Sequence, residues 1–144
     1  MEFKKINPDE YSELLYQMDV EAFNRDFDFS STSVKLTLSF LKGCEVFLVY
    51  EKNIPIGFLA YKTNEGGVEV EQIIVLPKYQ KKSYGKLIVK KLLELVKGNN
   101  VYLHTHPKNT AAIILYLKNG FQITAWKENY YGDGEPRLIF RCDF

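Results

Sequence analysis

Cysteine is nearly missing from this chain. The two present, Cys44 and Cys142, sit far apart and in no metal or dithiol spacing. That excludes a disulfide scaffold, a zinc module and a CxxC redox centre. Long apolar runs are missing as well, and the opening Met-Glu-Phe-Lys-Lys lacks the apolar core of a signal peptide. A cytoplasmic protein with no membrane partner is therefore expected. Net charge is almost absent: 19 basic and 18 acidic side chains leave +1, so no global field recruits nucleic acid. No repeat, low-complexity tract or linker divides the 144 residues, so a single domain over 1–144 is expected.

What is present is apolar and aromatic, at 46% and 15% of residues, enough for a globular core. The patterning predicts a strand over 3–6 and a helix opened by Pro8, with Tyr11, Leu14, Leu15 and Met18 on one face. A loop follows over 26–33, then a helix over 33–41 ended by Gly43. Runs 45–50 and 56–62 read as an antiparallel hairpin around Lys52-Asn53-Ile54-Pro55. Strands at 68–75, 101–105, 121–126 and 137–142 alternate with helices at 84–97 and 109–118, the latter closed by Asn119-Gly120. This order gives an α/β fold whose sheet mixes antiparallel and parallel pairs, with a parallel crossover from 68–75 to 101–105.

The densest signal lies at residues 71–86. An apolar strand reaches Pro77, passes through a lysine-rich loop and enters a helix at Tyr84. Lys78, Lys81, Lys82, Lys86, Lys90 and Lys91 fall within 14 residues. Amides in the first turn of a helix have no partners within it, and the helix dipole favours negative charge there. The loop is therefore an anion site suited to phosphate or pyrophosphate.

Three blocks carry a resemblance. The frame Gln80-Lys81-Lys82-Ser83-Tyr84-Gly85 is followed by Asn109-x-x-Ala112-x-x-x-Tyr116-x-x-x-Gly120-Phe121, and then by Asn129-Tyr130-Tyr131. Together they resemble the GCN5-related N-acetyltransferase (GNAT) superfamily. The C-terminal half is most similar to its N-terminal-amine, ribosomal-protein-alanine type. The resemblance implies an α/β sheet of six to seven strands, mostly antiparallel, flanked by about four helices, with a central parallel pair that splays. It also implies acetyl-CoA as cosubstrate, a small-molecule or peptide amine as acceptor, and compatibility with a homodimer. Ser83 departs from the pattern, which has glycine there. Serine is the next smallest choice, with a hydroxyl able to contact a phosphate; either the loop lacks a positive φ at that residue, or the serine weakens cofactor binding.

By the same resemblance, the cofactor phosphates sit on the amides of Lys81, Lys82, Ser83, Tyr84, Gly85 and Lys86, beside Gln80, Asn109 and Ala112. The main chains of Ile73, Ile74 and Val75 hold the pantetheine arm. Tyr116 matches the tyrosine that protonates the departing thiolate, a role that suits a phenol still protonated at neutral pH. Asn109 has an equal claim as a helix cap. Three residues compete as base. Glu69 matches the carboxylate of the histone-acetylating branch, and His104 holds the position of the base in the N-terminal-amine branch. Strict alternation places Glu69 and Glu71 on one face with Ile73 and Val75. His104 and His106 point the same way, but no third ligand is near in sequence and no metal is expected. The acceptor pocket is expected from Phe23, Phe27, Phe29, Trp126, Tyr130 and Tyr131, with Asp26 and Asp28 attracting a cation. No cysteine matches a covalent acetyl carrier, so the amine attacks the thioester directly. The alternative is a catalytically silent acyl-CoA-binding or regulatory domain on the same fold.

Overall fold

The computed structural model describes residues 1–25, 28–29 and 31–143, with only the backbone at 24–25 and 28–29. The strands are β1 (Glu2–Ile6), β2 (Asn24–Arg25), β3 (Asp28–Phe29), β4 (Glu45–Glu51), β5 (Ile54–Asn64), β6 (Gly67–Val75), β7 (Val101–Thr105), β8 (Gln122–Lys127) and β9 (Arg137–Cys142). The helices are α1 (Ser12–Ala22), α2 (Val34–Leu41), α3 (Tyr84–Leu95) and α4 (Thr110–Lys118). Seven strands form one sheet in the order β1-β4-β5-β6-β7-β9-β8, antiparallel except for β6 with β7. The α/β class and the parallel crossover are as the sequence predicts. Among the described residues, no helix is long and apolar enough to cross a membrane.

Local differences have local causes. Pro8 opens a short 3-10 turn, and α1 begins only at Ser12. The segment read as a loop carries β3, which pairs with β2 over two residues. The β4–β5 hairpin turns tightly on Lys52 and Asn53, both with positive φ, so Ile54 and Pro55 already belong to β5.

Both faces of the sheet are covered. Ile88, Val89 and Leu92 of α3 and Tyr116 of α4 pack on one face with Leu59, Val68, Val70 and Phe140. Leu15, Met18 and Ala22 of α1 and Leu41 of α2 pack on the other, with Val46, Leu48, Phe58 and Ile74.

Strand β6 sits between these layers and changes face partway along. Val70 pairs with Tyr61 and Gln72 with Ala60, which leaves Glu71 as the extra residue of a β-bulge. The bulge overturns the strict alternation expected from sequence. Ile73 and Val75 join Val68 and Val70 on the α3/α4 face, while Glu69 and Glu71 lie with Lys62 on the α1/α2 side. Beyond the bulge β6 hugs β5, because Gly57 has no side chain: a Cβ there would overlap the Ile74 carbonyl oxygen.

After β6 the chain makes a 3-10 turn at Pro77–Tyr79 and crosses into α3 through Lys81 and Ser83. Both residues are left-handed, with φ of 60° and 67°. The first alternative for Ser83, a loop without positive φ, is therefore excluded. Ser83 is the N-cap of α3, yet its side chain makes no capping bond. Holding a non-glycine residue in this region costs on the order of 1–2 kcal/mol. Glycine gives back roughly 0.5–1 kcal/mol through its freer unfolded chain. Ser83→Gly is therefore expected to raise Tm by about 2–4 °C in thermal unfolding. An unchanged or lowered Tm would show that the serine makes a contact that offsets its strain.

Candidate functional site

The parallel pair is held at one end only. Val68 pairs with Val101 and Glu69 with Tyr102, and no pairing between the strands follows. The closed end is fixed by Val68 N–H donating to the Asn100 carbonyl at 2.8 Å. Beyond it, β6 toward Val75 and β7 toward Thr105 diverge, so backbone groups on their facing edges have no strand partner. A cleft of about 610 Å³ opens there, running from the start of α3 to the space beside α1 and α2.

At its α3 end the cleft presents unpaired amides and lysines, an arrangement that could hold an anion. Leu87 N–H is the first to bond back, to the Ser83 carbonyl, so the Tyr84, Gly85 and Lys86 amides face outward. Lys81 and Lys86 line this end with Gln80, Ser83 and Gly85. Gln80 Nε2 donates to the Val75 carbonyl at 2.9 Å, tying the loop to the end of β6. Ile73, Ile74, Val75, Asn109, Ala112 and Tyr116 continue the lining. Of the residues expected around the cofactor, Lys82 and Tyr84 keep their side chains off the cleft. Lys82 is exposed, and the Tyr84 ring turns away to pack edge-on against Tyr79. Asn109 caps α4, its Oδ1 accepting from Ala112 N–H at 3.3 Å, and also faces the cleft.

Tyr116 stands where α4 meets the splay. Its ring packs edge-to-face on Phe121 and Phe140 at 5.8 and 5.5 Å. Burial pushes its pKa up to about 12, so the phenol keeps its proton at neutral pH.

The three candidate bases separate. Glu71 lines the cleft, half-buried, and burial pushes its carboxyl up against the opposing pull of Lys62, whose Nζ lies 3.7 Å away. His104 also lines the cleft, clustered with the rings of Tyr130 and Tyr131 at 5.1 and 5.2 Å, with the Tyr131 hydroxyl on its Nε2. Burial first, and the Arg137 charge second, push His104 down to about 4, so its ring is neutral near pH 7. Glu69 does not reach the cleft. It borders an adjoining depression of about 140 Å³ with Asn64, Tyr102, Tyr130 and His104, which lines both spaces.

His106 does not combine with His104. Its Nε2 meets Glu135 at 3.3 Å and its Nδ1 accepts from Lys108 N–H at 3.1 Å. Among the described residues, no group of three His, Cys, Asp or Glu is placed to hold a metal. Cys44 lies outside the cleft lining, with its thiol pushed up to about 11 by burial, which makes it a poor nucleophile.

The far end of the cleft differs from its expected composition. Phe23 and Tyr131 line it as foreseen, joined by Leu36 and Phe40 of α2. Trp126 does not: it is 54% exposed on β8 and donates to Glu128 at 2.8 Å. Tyr130 borders the depression instead. Asp26 and Phe27 lie outside the described residues, as do the side chains of Asp28 and Phe29. Among the described residues, the carboxyl groups lining the cleft are Glu71, Asp19 and Asp133, the last paired with Arg137 at 3.1 Å. Asp19 is 2% exposed, accepting from Ser31 N–H at 2.6 Å and from Gln72 Nε2 at 2.9 Å. One signal was available in the sequence, since Asp19 falls within the apolar stripe Leu15-Met18-Ala22 of α1. Arg137, buried at the start of β9 and also lining the cleft, gave no such signal.

Against known proteins, residues 9–121 match the acetyltransferase (GNAT) family. The N-alpha-acetyltransferase RimI of Mycobacterium tuberculosis is 38% identical over 63 residues, covering 44% of this chain and 40% of that protein. The ribosomal-protein-S18-alanine N-acetyltransferase of Escherichia coli superposes with a TM-score of 0.80 over 98% of this chain and 92% of that one, at 22% identity. A GNAT family acetyltransferase from Elizabethkingia anophelis, solved with acetyl-CoA bound, reaches 0.81 over 99% and 97%, at 18% identity. At such identities these likenesses show the fold. The chain spans 40% to 67% of the length of the curated relatives it matches. With the family match covering most of the chain, and a splayed parallel pair beside a helix-borne anion cradle, the protein belongs to the acetyltransferase (GNAT) family.

Proposed function

We propose that the protein is an acetyl-CoA-dependent N-acetyltransferase that moves an acetyl group to a primary amine by direct attack. One observation carries this reading: the splayed edges of β6 and β7, the bare amides of α3 and the Tyr116 phenol all open onto one cleft. Names among the relatives, N-alpha-acetyltransferase and ribosomal-protein-alanine N-acetyltransferase, support an amine acceptor, and the acetyl-CoA in the Elizabethkingia structure supports the donor.

The residues present fit such a donor. The amides of Tyr84, Gly85 and Lys86 bind pyrophosphate oxygens, with Lys81 and Lys86 adding attraction. The free edge of β6 along Ile73–Val75 takes an amide-bearing arm by strand-like pairing. Acetyl-CoA supplies the activated acyl group, as a thioester. The chain's own residues manage protons. Glu71 takes a proton from the acceptor ammonium, so that the amine lone pair forms the new N–C bond as the C–S bond breaks. The nitrogen, now bonded to the acetyl carbon, sheds its second proton to solvent, while Tyr116 gives its proton to the departing thiolate and recovers one from solvent. The carboxyl groups of Glu71 and Asp19 make this end of the cleft favourable to a cationic acceptor.

Acetyl-CoA should raise Tm, and an amine panel followed by thiol release should show turnover. A rise in Tm with no release for any amine would leave the silent acyl-CoA binder as the better reading. Tyr116→Phe is expected to lower kcat by about 100-fold or more at unchanged acetyl-CoA affinity, because a general acid is worth roughly 10²–10⁴ in rate.

Glu71→Gln tests the base. Burial raises the Glu71 pKa, so its working carboxylate form is present above that pKa and lost as pH falls through it. The kcat profile of the native enzyme should therefore fall on the acid side at a pH above the ordinary carboxylate value, and the variant should lose that limb along with most of its rate. A limb near the His104 value of about 4, retained in Glu71→Gln, would move the role to the imidazole.

A further inference from the structure

The β8–β9 loop over 128–136 is fastened to the end of β7 at two points. Glu135 meets His106, and the hydroxyl of Tyr131 meets Nε2 of His104. Arg137 governs the second fastening. Its guanidinium is buried, the residue being 6% exposed. Nη1 donates to the Pro136 carbonyl at 3.0 Å and Nη2 to Asp133 Oδ2 at 3.1 Å. The guanidinium carbon lies 5.2 Å from the centre of the Tyr131 ring. Burying a charge is costly unless its hydrogen bonds fix it, and here one loop supplies both acceptors. The Tyr131 ring cannot swing away without unstacking from this held cation.

We propose that Arg137 is a positioning residue that holds the Tyr131 hydroxyl on His104 Nε2, keeping His104 as the neutral tautomer with its proton on Nδ1. The phenol donates and the Nε2 lone pair accepts, so the ring hydrogen belongs on the other nitrogen. Burial raises the Tyr131 phenol, which therefore keeps the hydrogen it donates. Burial and the Arg137 charge together disfavour the imidazolium. The titratable and charged groups around His104 are Tyr130, Tyr131, Asp133 and Arg137 from the loop and β9, Glu71, Asp19 and His106 sharing the cleft, and Glu69 and Tyr102 bordering the depression. With its Nε2 occupied, His104 forms a fixed wall for the acceptor and leaves proton removal to Glu71. This last consequence rests on the acetyltransferase reading, whereas the tautomer does not.

Only two histidines occur in the chain, so long-range 1H–15N NMR reads His104 directly. The native protein should show the Nδ1–H tautomer between about pH 5.5 and 8. In Arg137→Met, the His104 midpoint should move up and the Nδ1–H population should fall. The KM for the amine should rise about tenfold, with the Tm increment from acetyl-CoA retained. In Arg137→Lys, which keeps the charge but not the planar face, the midpoint should stay low while the tautomers mix. A native His104 that is protonated at neutral pH or carries its hydrogen on Nε2 would overturn the proposal, as would an unchanged tautomer in Arg137→Met. Should that variant not fold, Tyr131→Phe removes the hydroxyl alone, and an unchanged tautomer there is equally fatal. Failure of the acetyltransferase reading would register separately, as absent thiol release with the histidine spectra as expected.

Discussion

The cleft exists because β6 and β7 separate after two residue pairs. Unpaired strand edges inside a protein are normally penalised, since each bare N–H or C=O has given up water without gaining a partner. Here the bare edges open onto a cleft, where solvent or an extended ligand can meet them. Neighbouring features keep the strands apart. The Glu71 bulge adds a residue to β6 at the point of divergence. Gly57 lets β5 hold β6 closely just beyond it, and the 3-10 turn after Val75 carries the chain away toward α3. The anion cradle, the Tyr116 hydroxyl and the loop holding Tyr131 are then arranged around the opening.

A net charge of +1 conceals a polar cleft. Lysines 81 and 86 mark one end, and the carboxyl groups of Asp19 and Glu71 line the other. The two ends therefore favour opposite charges. Lys62 tempers the acidic end by reaching both Glu69 and Glu71 from β5, at 4.0 and 3.7 Å. Arg137, although it lines the cleft, is bound to Asp133 within its own loop, so its charge acts locally on Tyr131 and His104.

Much of this was legible in the sequence where the signal is periodic or punctuated. Pro77 followed by lysines and Tyr84-Gly85 marked the strand–loop–helix unit, and Asn109 and Asn119-Gly120 marked both ends of α4. The Glu71 bulge was not legible. One added residue leaves composition unchanged while exchanging every face beyond it, so Ile73 and Val75 were assigned to the wrong side. Asp19 and Arg137 were missed for a related reason. Charged residues are taken as solvated by default, and their roles come from partners distant in sequence: Ser31 and Gln72 for Asp19, and Tyr131 for Arg137. Trp126 erred the other way, because a large aromatic is taken as buried or site-lining until the sheet edge that carries it is known.

That edge has a practical consequence. The chain's single tryptophan stands on β8, an edge strand, with its indole N–H on Glu128 and with no part in the cleft lining. Its ultraviolet emission is therefore a lamp mounted on the rim of the sheet. It will register whatever docks along β8, while a ligand settling into the α3 cradle leaves it largely undimmed.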